Sequence, residues 1–118
     1  MAKIVHIVKW AKINSFNSYF ISNTGFVRLN KRILPFAYGG NKRPFVSLRE
    51  ADPKNKKYER KYIHELVWTH FSGKEKVKGF EIHHKDGDYL NNHIDNLEYL
   101  SKEQHYEKHK QMKNILNK

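Results

Sequence analysis

Cysteine is absent from this chain of 118 residues. That absence excludes a disulfide framework and a thiolate zinc knuckle, so any bound metal has to be held by histidine, asparagine or carboxylate. No apolar run is long enough to cross a bilayer. Met1 to Trp10 is too short and too mixed for a secretory signal, so on sequence the chain reads as cytoplasmic, with no membrane partner. Repeats and low-complexity stretches are missing too. Apolar residues make up only 38% of the chain, which is low for a large interior, and the 14% of aromatic residues compensates because each ring buries much area. The length allows one domain, or two small modules that share little core. A small chain without disulfides can draw part of its stability from a bound ion.

Negative charge is also scarce. Lys and Arg number 23 against 12 Asp and Glu, for a formal net charge of +11. Residues 1–79 hold 17 basic and 5 acidic side chains, whereas residues 80–118 hold 6 and 7, so the positive field is confined to the N-terminal part. So lopsided a distribution favours a polyanion partner over charge spread for solubility alone. Residues 28–61 carry a net +8. Arg28, Lys31, Arg32, Lys42, Arg43, Lys56 and Lys57 are the expected phosphate contacts there, with Lys42 and Arg43 at a hairpin tip able to enter a groove. Any one of them alone reads as a solvated surface charge; the cluster carries the expectation.

The order of elements predicts an α+β chain. Ile4 to Lys12 has strand character. Ser18 to Ser22, the turn residues Asn23-Thr24-Gly25, and Phe26 to Leu29 read as a hairpin. Ile33 to Tyr38 and Pro44 to Leu48 flank Gly39-Gly40-Asn41-Lys42 and read as a second hairpin with a basic tip. Asp52 to Lys57 is a loop. Ile63, Leu66, Val67, His70 and Phe71 fall on one face of a short helix, which Ser72-Gly73 stops. On this spacing His70 belongs to the apolar face. A strand over Phe80–His84, a loop rich in Gly, Asp and Asn, and a strand over Leu97–Leu100 follow. Ser101 with Gln104 offers a capping box for a last helix running to about Leu116.

The chemistry is concentrated in Phe80-Glu81-Ile82-His83-His84-Lys85-Asp86-Gly87-Asp88. Adjacent residues of a strand point to opposite sides, so one histidine of the pair can hold a metal while the other works on water. His105 and His109, four apart on a helix, share a face and can close the metal site. That is the layout of a nuclease using one metal ion.

Residues 81–109 resemble the HNH nuclease family, whose core is the ββα-metal fold. The matching residues are His83-His84-Lys85-Asp86-Gly87, Asn91-Asn92, Asn96-Leu97-Glu98-Tyr99 and His105. Tyr62 to Val67 resembles the segment before that motif in phage and intron-encoded members. Trp10 to Ile13 and Tyr19 to Arg28 resemble the module ahead of the core in homing-type endonucleases. The resemblance implies an N-terminal β-hairpin module, a helix and an HNH core, divided here into a basic DNA-docking part over 1–61 and a nuclease core over 62–118.

It further implies His84 as general base, Asn96 tying back the loop and fixing the His84 ring, and Asn92 bracing the same loop. His83 and His105 are the implied metal ligands. His109 is either a further ligand or a solvated helix histidine. Lys85 and Lys102 are expected near the scissile phosphate. Asp86 reads as a turn residue, with a ligand role left open. His64 reads as packing or hydrogen bonding, and His6 and His93 carry no argument for chemistry. One divalent ion (Mg, Mn or Zn) is the expected cofactor, and double-stranded DNA the expected partner of a monomer or homodimer in a bacterial or phage-infected cytoplasm. The alternatives are a DNA-binding protein with a purely structural metal, or an RNase or toxin on the same core.

Overall fold

A two-residue turn at Asn14-Ser15 joins β1 (Trp10–Ile13) to β2 (Phe16–Ser22), and the Asn23 to Phe26 turn returns the chain as β3 (Val27–Leu29). With β4 (Arg32–Ile33) these form a four-stranded antiparallel sheet in the order β1-β2-β3-β4. The computed structural model describes residues 7–49, 54, 57–74 and 78–116, without the side chains of 109 and 112–116.

The first strand is shorter than the composition suggests. Residues 7–9 lie outside the ladder, whose pairing starts at Trp10 opposite Ser22. There Asn23 takes over the strand's role: its side chain accepts from the Lys9 N–H at 2.9 Å and donates to the Ile7 carbonyl at 2.9 Å. Residues 4–6 of the expected strand lie outside the described residues.

A second sheet orders β5 (Ala37–Tyr38), β6 (Pro44–Arg49) and β7 (Tyr58–Tyr62). The sequence reading has no strand at β7. Three of its five residues are charged and its burial pattern is mostly exposed, so no apolar alternation advertises it. It is an edge strand, the position where charged side chains guard against further pairing, and β6 recruits it through the pairs Phe45↔Tyr62 to Arg49↔Tyr58.

Helix α1 (Ile63–Phe71) follows β7 without a loop. Its buried residues Ile63, Leu66, Val67 and Trp68 meet Ile13, Phe16, Ile21 and Val27 of the first sheet, Val46 and Leu48 of the second, and Leu97 further on. One cluster of buried side chains thus runs from Ile13 to Leu97. Gly73 closes α1 with a φ of +71°, the left-handed turn that glycine takes at little cost.

His70 differs from its sequence reading. It is half-buried and acts as a tie, because its Nδ1–H donates to the Leu66 carbonyl at 2.8 Å while Nε2 accepts from the Asn14 N–H at 3.1 Å. The end of α1 is thereby fastened to the β1–β2 turn.

The C-terminal unit is β8 (Phe80–His84), a 3-10 turn over Ile94–Asn96, β9 (Leu97–Ser101) and α2 (Lys102–Leu116). β8 and β9 pair antiparallel from Phe80↔Ser101 to His84↔Leu97. The capping box at α2 is reciprocal: the Gln104 N–H donates to Ser101 Oγ at 3.2 Å and the Ser101 N–H donates to Gln104 Oε1 at 3.0 Å. No helix of the described residues is long and apolar enough to cross a membrane.

Candidate functional site

Strand β8 lies between the two helices, and its alternation deals its residues to two different environments. Ile82 packs against the buried cluster and the His84 ring meets His64 of α1 at 5.7 Å. Glu81 and His83 face the other way, onto α2. The neighbouring histidines therefore sit in separate compartments.

On the α2 side the His83 and His105 rings stand 5.1 Å apart, centroid to centroid. Each has its Nδ1 engaged by a carboxylate. His83 Nδ1–H donates to Glu98 Oε1 at 3.0 Å, and His105 Nδ1–H donates to Glu81 Oε2 at 2.8 Å. A proton held on Nδ1 leaves the lone pair on Nε2, the usual arrangement of a metal-binding imidazole backed by a carboxylate. Lys108 also bonds Glu98, and this bond is the foremost reason the Glu98 carboxyl is held below its ordinary pKa. His109 is one turn further along α2, but its side chain lies outside the described residues. Among the described residues no three His, Asp or Glu side chains converge as a ready-made metal cage. The donor set present is thus a pair of oriented imidazoles, which suits an ion that keeps open positions for water or phosphate.

On the α1 side His84 is only 4% exposed and Asn92 only 3%. The Asn92 Nδ2 donates to the Tyr89 carbonyl at 3.3 Å, which turns Oδ1 toward the imidazole, 2.7 Å from His84 Nε2. With the oxygen accepting, His84 carries its proton on Nε2 and its lone pair on Nδ1. Burial, above all, pushes the His84 pKa below its ordinary value of 6.5; the Asn92 bond opposes this and the charge of Arg43 adds to it. The result is an imidazole kept neutral and fixed in tautomer, which is what a base needs at neutral pH.

The loop between the strands is built around Asp86. Its carboxylate accepts from the Asp88 N–H at 2.8 Å, from Asn96 Nδ2 at 2.9 Å and from Asn91 Nδ2 at 2.8 Å. These bonds, Asn91 first, pull its pKa down to about 2. Both oxygens accept hydrogen bonds from the loop, so Asp86 braces it. Asn96 completes the frame, accepting from the Asp86 N–H at 3.2 Å and donating to the Asn91 carbonyl at 2.8 Å. Asn96 ties the loop back as expected, but the bond that fixes the His84 ring comes from Asn92 instead. Both are Asn in a loop of similar composition, and only the path of the chain decides which reaches the ring.

The basic residues divide. Arg28 is stacked on Phe20 at 4.2 Å and Trp10 at 4.9 Å, and donates to the Asn30 carbonyl at 2.6 Å. Its guanidinium thus packs within the first sheet, against rings of β1 and β2. Lys31, Arg32, Lys42, Lys57 and Lys102 are exposed, and Lys56 lies outside the described residues. Lys85, also exposed, donates to the Asp95 carbonyl at 3.1 Å. Arg43 does not project freely from its hairpin tip; it stacks on Tyr89 at 4.6 Å, beside His84.

Sequence reasoning missed Glu81, Glu98 and Tyr89. The two glutamates had a signal: residue 81 alternates with 83 on β8, and a carboxylate opposite a ligand histidine is the expected support. Tyr89 had none.

Residues 61–106 match the family model described as HNH endonuclease. Two curated proteins of Acanthamoeba polyphaga mimivirus are similar, each an uncharacterized HNH endonuclease. L247 is 32% identical over 83% of this chain and 24% of its own length, and L245 is 32% identical over 80% of this chain and 28% of its own. The chain thus spans about a quarter of those relatives. A solved structure described as DNA binding and cleavage by the HNH homing endonuclease I-HmuI superimposes with a TM-score of 0.76 at 27% identity, covering 88% of this chain and 59% of that one.

Proposed function

Because the chain belongs to the HNH endonuclease family, we propose that it hydrolyses phosphodiester bonds of duplex DNA, with His84 as the general base. The observation that carries this reading is the pairing of a buried, Asn92-oriented His84 with a separate His83–His105 pair on the other face of one strand. Residues 62–118 form the proposed nuclease core, and the basic part over 1–61 docks the duplex.

His84 Nδ1 takes a proton from water as the water oxygen attacks phosphorus in line. The bond from phosphorus to the 3′ oxygen breaks and that oxygen takes a proton from solvent, leaving a 5′ phosphate and a 3′ hydroxyl. Asn92 holds the imidazole in the tautomer that can accept, and stabilises the imidazolium that results. His83 and His105, backed by Glu98 and Glu81, are the residues that would hold a divalent ion, with His109 as a candidate third. Such an ion, when bound, supplies charge neutralisation at the phosphate and the leaving oxygen. Exposed Lys31, Arg32, Lys42 and Lys57 carry the expected contacts to the DNA backbone, with Lys85 and Lys102 nearer the cut.

The test is conversion of supercoiled plasmid carrying random inserts to open circle, with Mg, Mn or Zn and a chelator control. Wild type is expected to nick and His84→Ala is not. Equal activity in both removes His84 as the base. DNA binding should weaken steeply with salt, and a flat response removes the basic part from the docking role.

A further inference from the structure

Arg43 ends the turn between β5 and β6, and that turn is fixed before the side chain leaves it. The Lys42 N–H donates to the Gly39 carbonyl at 3.0 Å, the Arg43 N–H donates to Asn41 Oδ1 at 3.1 Å, and Asn41 Nδ2 donates to the Tyr62 hydroxyl at 3.3 Å. The guanidinium lies 4.6 Å over the Tyr89 ring, and that ring stands edge-on 5.6 Å from the His84 imidazole. Arg43 is half-buried, yet none of the carboxylates of the described residues pairs with it.

Its contrast with the other arginines is chemical. Arg28 spends an N–H on a carbonyl and its faces on two rings. Arg60 lies over Phe45 within its own sheet. Among the described residues Arg43 uses only the face of its plane, on Tyr89, while its N–H fork keeps its donors for a planar pair of oxygens. A cation held beside a base, with its donors unspent, suits the phosphate that the base's water attacks.

We propose that Arg43 contacts the scissile phosphate itself, donating to its non-bridging oxygens as charge builds during attack, so that the N-terminal hairpin completes the active site of the C-terminal core. Tyr89 is the platform that aims the fork. Arg43 takes up and gives out no proton; the proton of the attacking water goes to His84, and Arg43 supplies charge and hydrogen bonds alone. This assignment rests on the nuclease reading above.

Single-turnover cleavage of supercoiled plasmid with random inserts, at saturating full-length protein in Mn, separates the possibilities when DNA affinity is measured in parallel. Arg43→Ala is expected to lower the saturated rate by about 10²–10³-fold, with a far smaller change in affinity. Added guanidinium ion should restore part of the rate to Arg43→Ala and none to His84→Ala. Should Arg43→Ala fail to fold, Arg43→Lys carries the test, since it keeps the charge and loses the fork; its saturated rate is expected to stay at least about tenfold below wild type. A wild-type saturated rate in either variant overturns the proposal and leaves Arg43 as a groove contact. A folded Arg43→Ala whose lost rate guanidinium does not restore overturns it too. A wild type that cuts nothing removes the nuclease reading and this assignment together, and so differs from a cutting wild type indifferent to Arg43.

Discussion

Gly25 lies against Asn92: a Cβ built on Gly25 would fall 3.0 Å from the Asn92 Cβ. The turn between β2 and β3 therefore presses on the residue that orients His84, and the Ile94 N–H donates to the Asn23 carbonyl at 2.9 Å beside it. Gly25 also has φ of +97°, a region L side chains rarely adopt. Gly25→Ala is expected to cost about 1–3 kcal/mol of stability and to depress cleavage further by displacing Asn92. Thermal unfolding together with single-turnover rates checks this. Unchanged values of both would show that the turn does not brace the site.

The carboxylates behind the imidazoles give a second prediction. Glu98→Gln and Glu81→Gln each remove the negative acceptor that fixes one ring. Mn affinity measured by calorimetry is expected to fall by about 10–100-fold in each, with the fold retained, since neither residue belongs to the buried cluster. Full affinity in both variants would show that the rings need no such support.

The pH dependence follows from the burial of His84. Its folded pKa is below 6.5, so it stays neutral, and able to accept a proton, on the acid side of an ordinary histidine. NMR titration of the imidazole should place its midpoint below 6.5. For stability the sign is the same: the unfolded chain binds this proton first, so His84 makes folding less favourable as pH falls through 6.5 toward the folded pKa. A midpoint above 6.5 would contradict the account.

Asp86 behaves oppositely. Its pKa is lowered from 3.8 to about 2, so its contribution to the loop is present above pH 3.8 and is lost as pH falls through about 2. Asp86→Ala should loosen the loop from 85 to 96 and reduce cleavage while leaving Mn affinity intact. A loss of Mn affinity matching that of His83→Ala would make Asp86 a ligand after all.

What could be read from the sequence was local. The alternation that sends His83 and His84 to opposite faces, the Ser101–Gln104 box and the α1 stripe from Ile63 to Phe71 are all set within a few residues of chain. The rest depends on what lies across the fold. β7 was invisible because its stability comes from pairing with β6 and its charges mask the pattern. That Asn92 and not Asn96 supplies the bond to the His84 ring is a matter of loop path. Arg28 and Arg43 look alike in sequence, and only their neighbouring rings distinguish a cation packed within the first sheet from one held beside His84.

The central claim is that β8 divides labour between its two faces, with metal binding on the α2 side and proton transfer on the α1 side. Mn titration calorimetry of His84→Ala beside His83→Ala tests it most directly. The account predicts that His84→Ala binds Mn as wild type does, although it no longer cleaves, and that His83→Ala loses about tenfold or more in affinity. Equal loss of Mn binding in both variants, or none in His83→Ala, would contradict it.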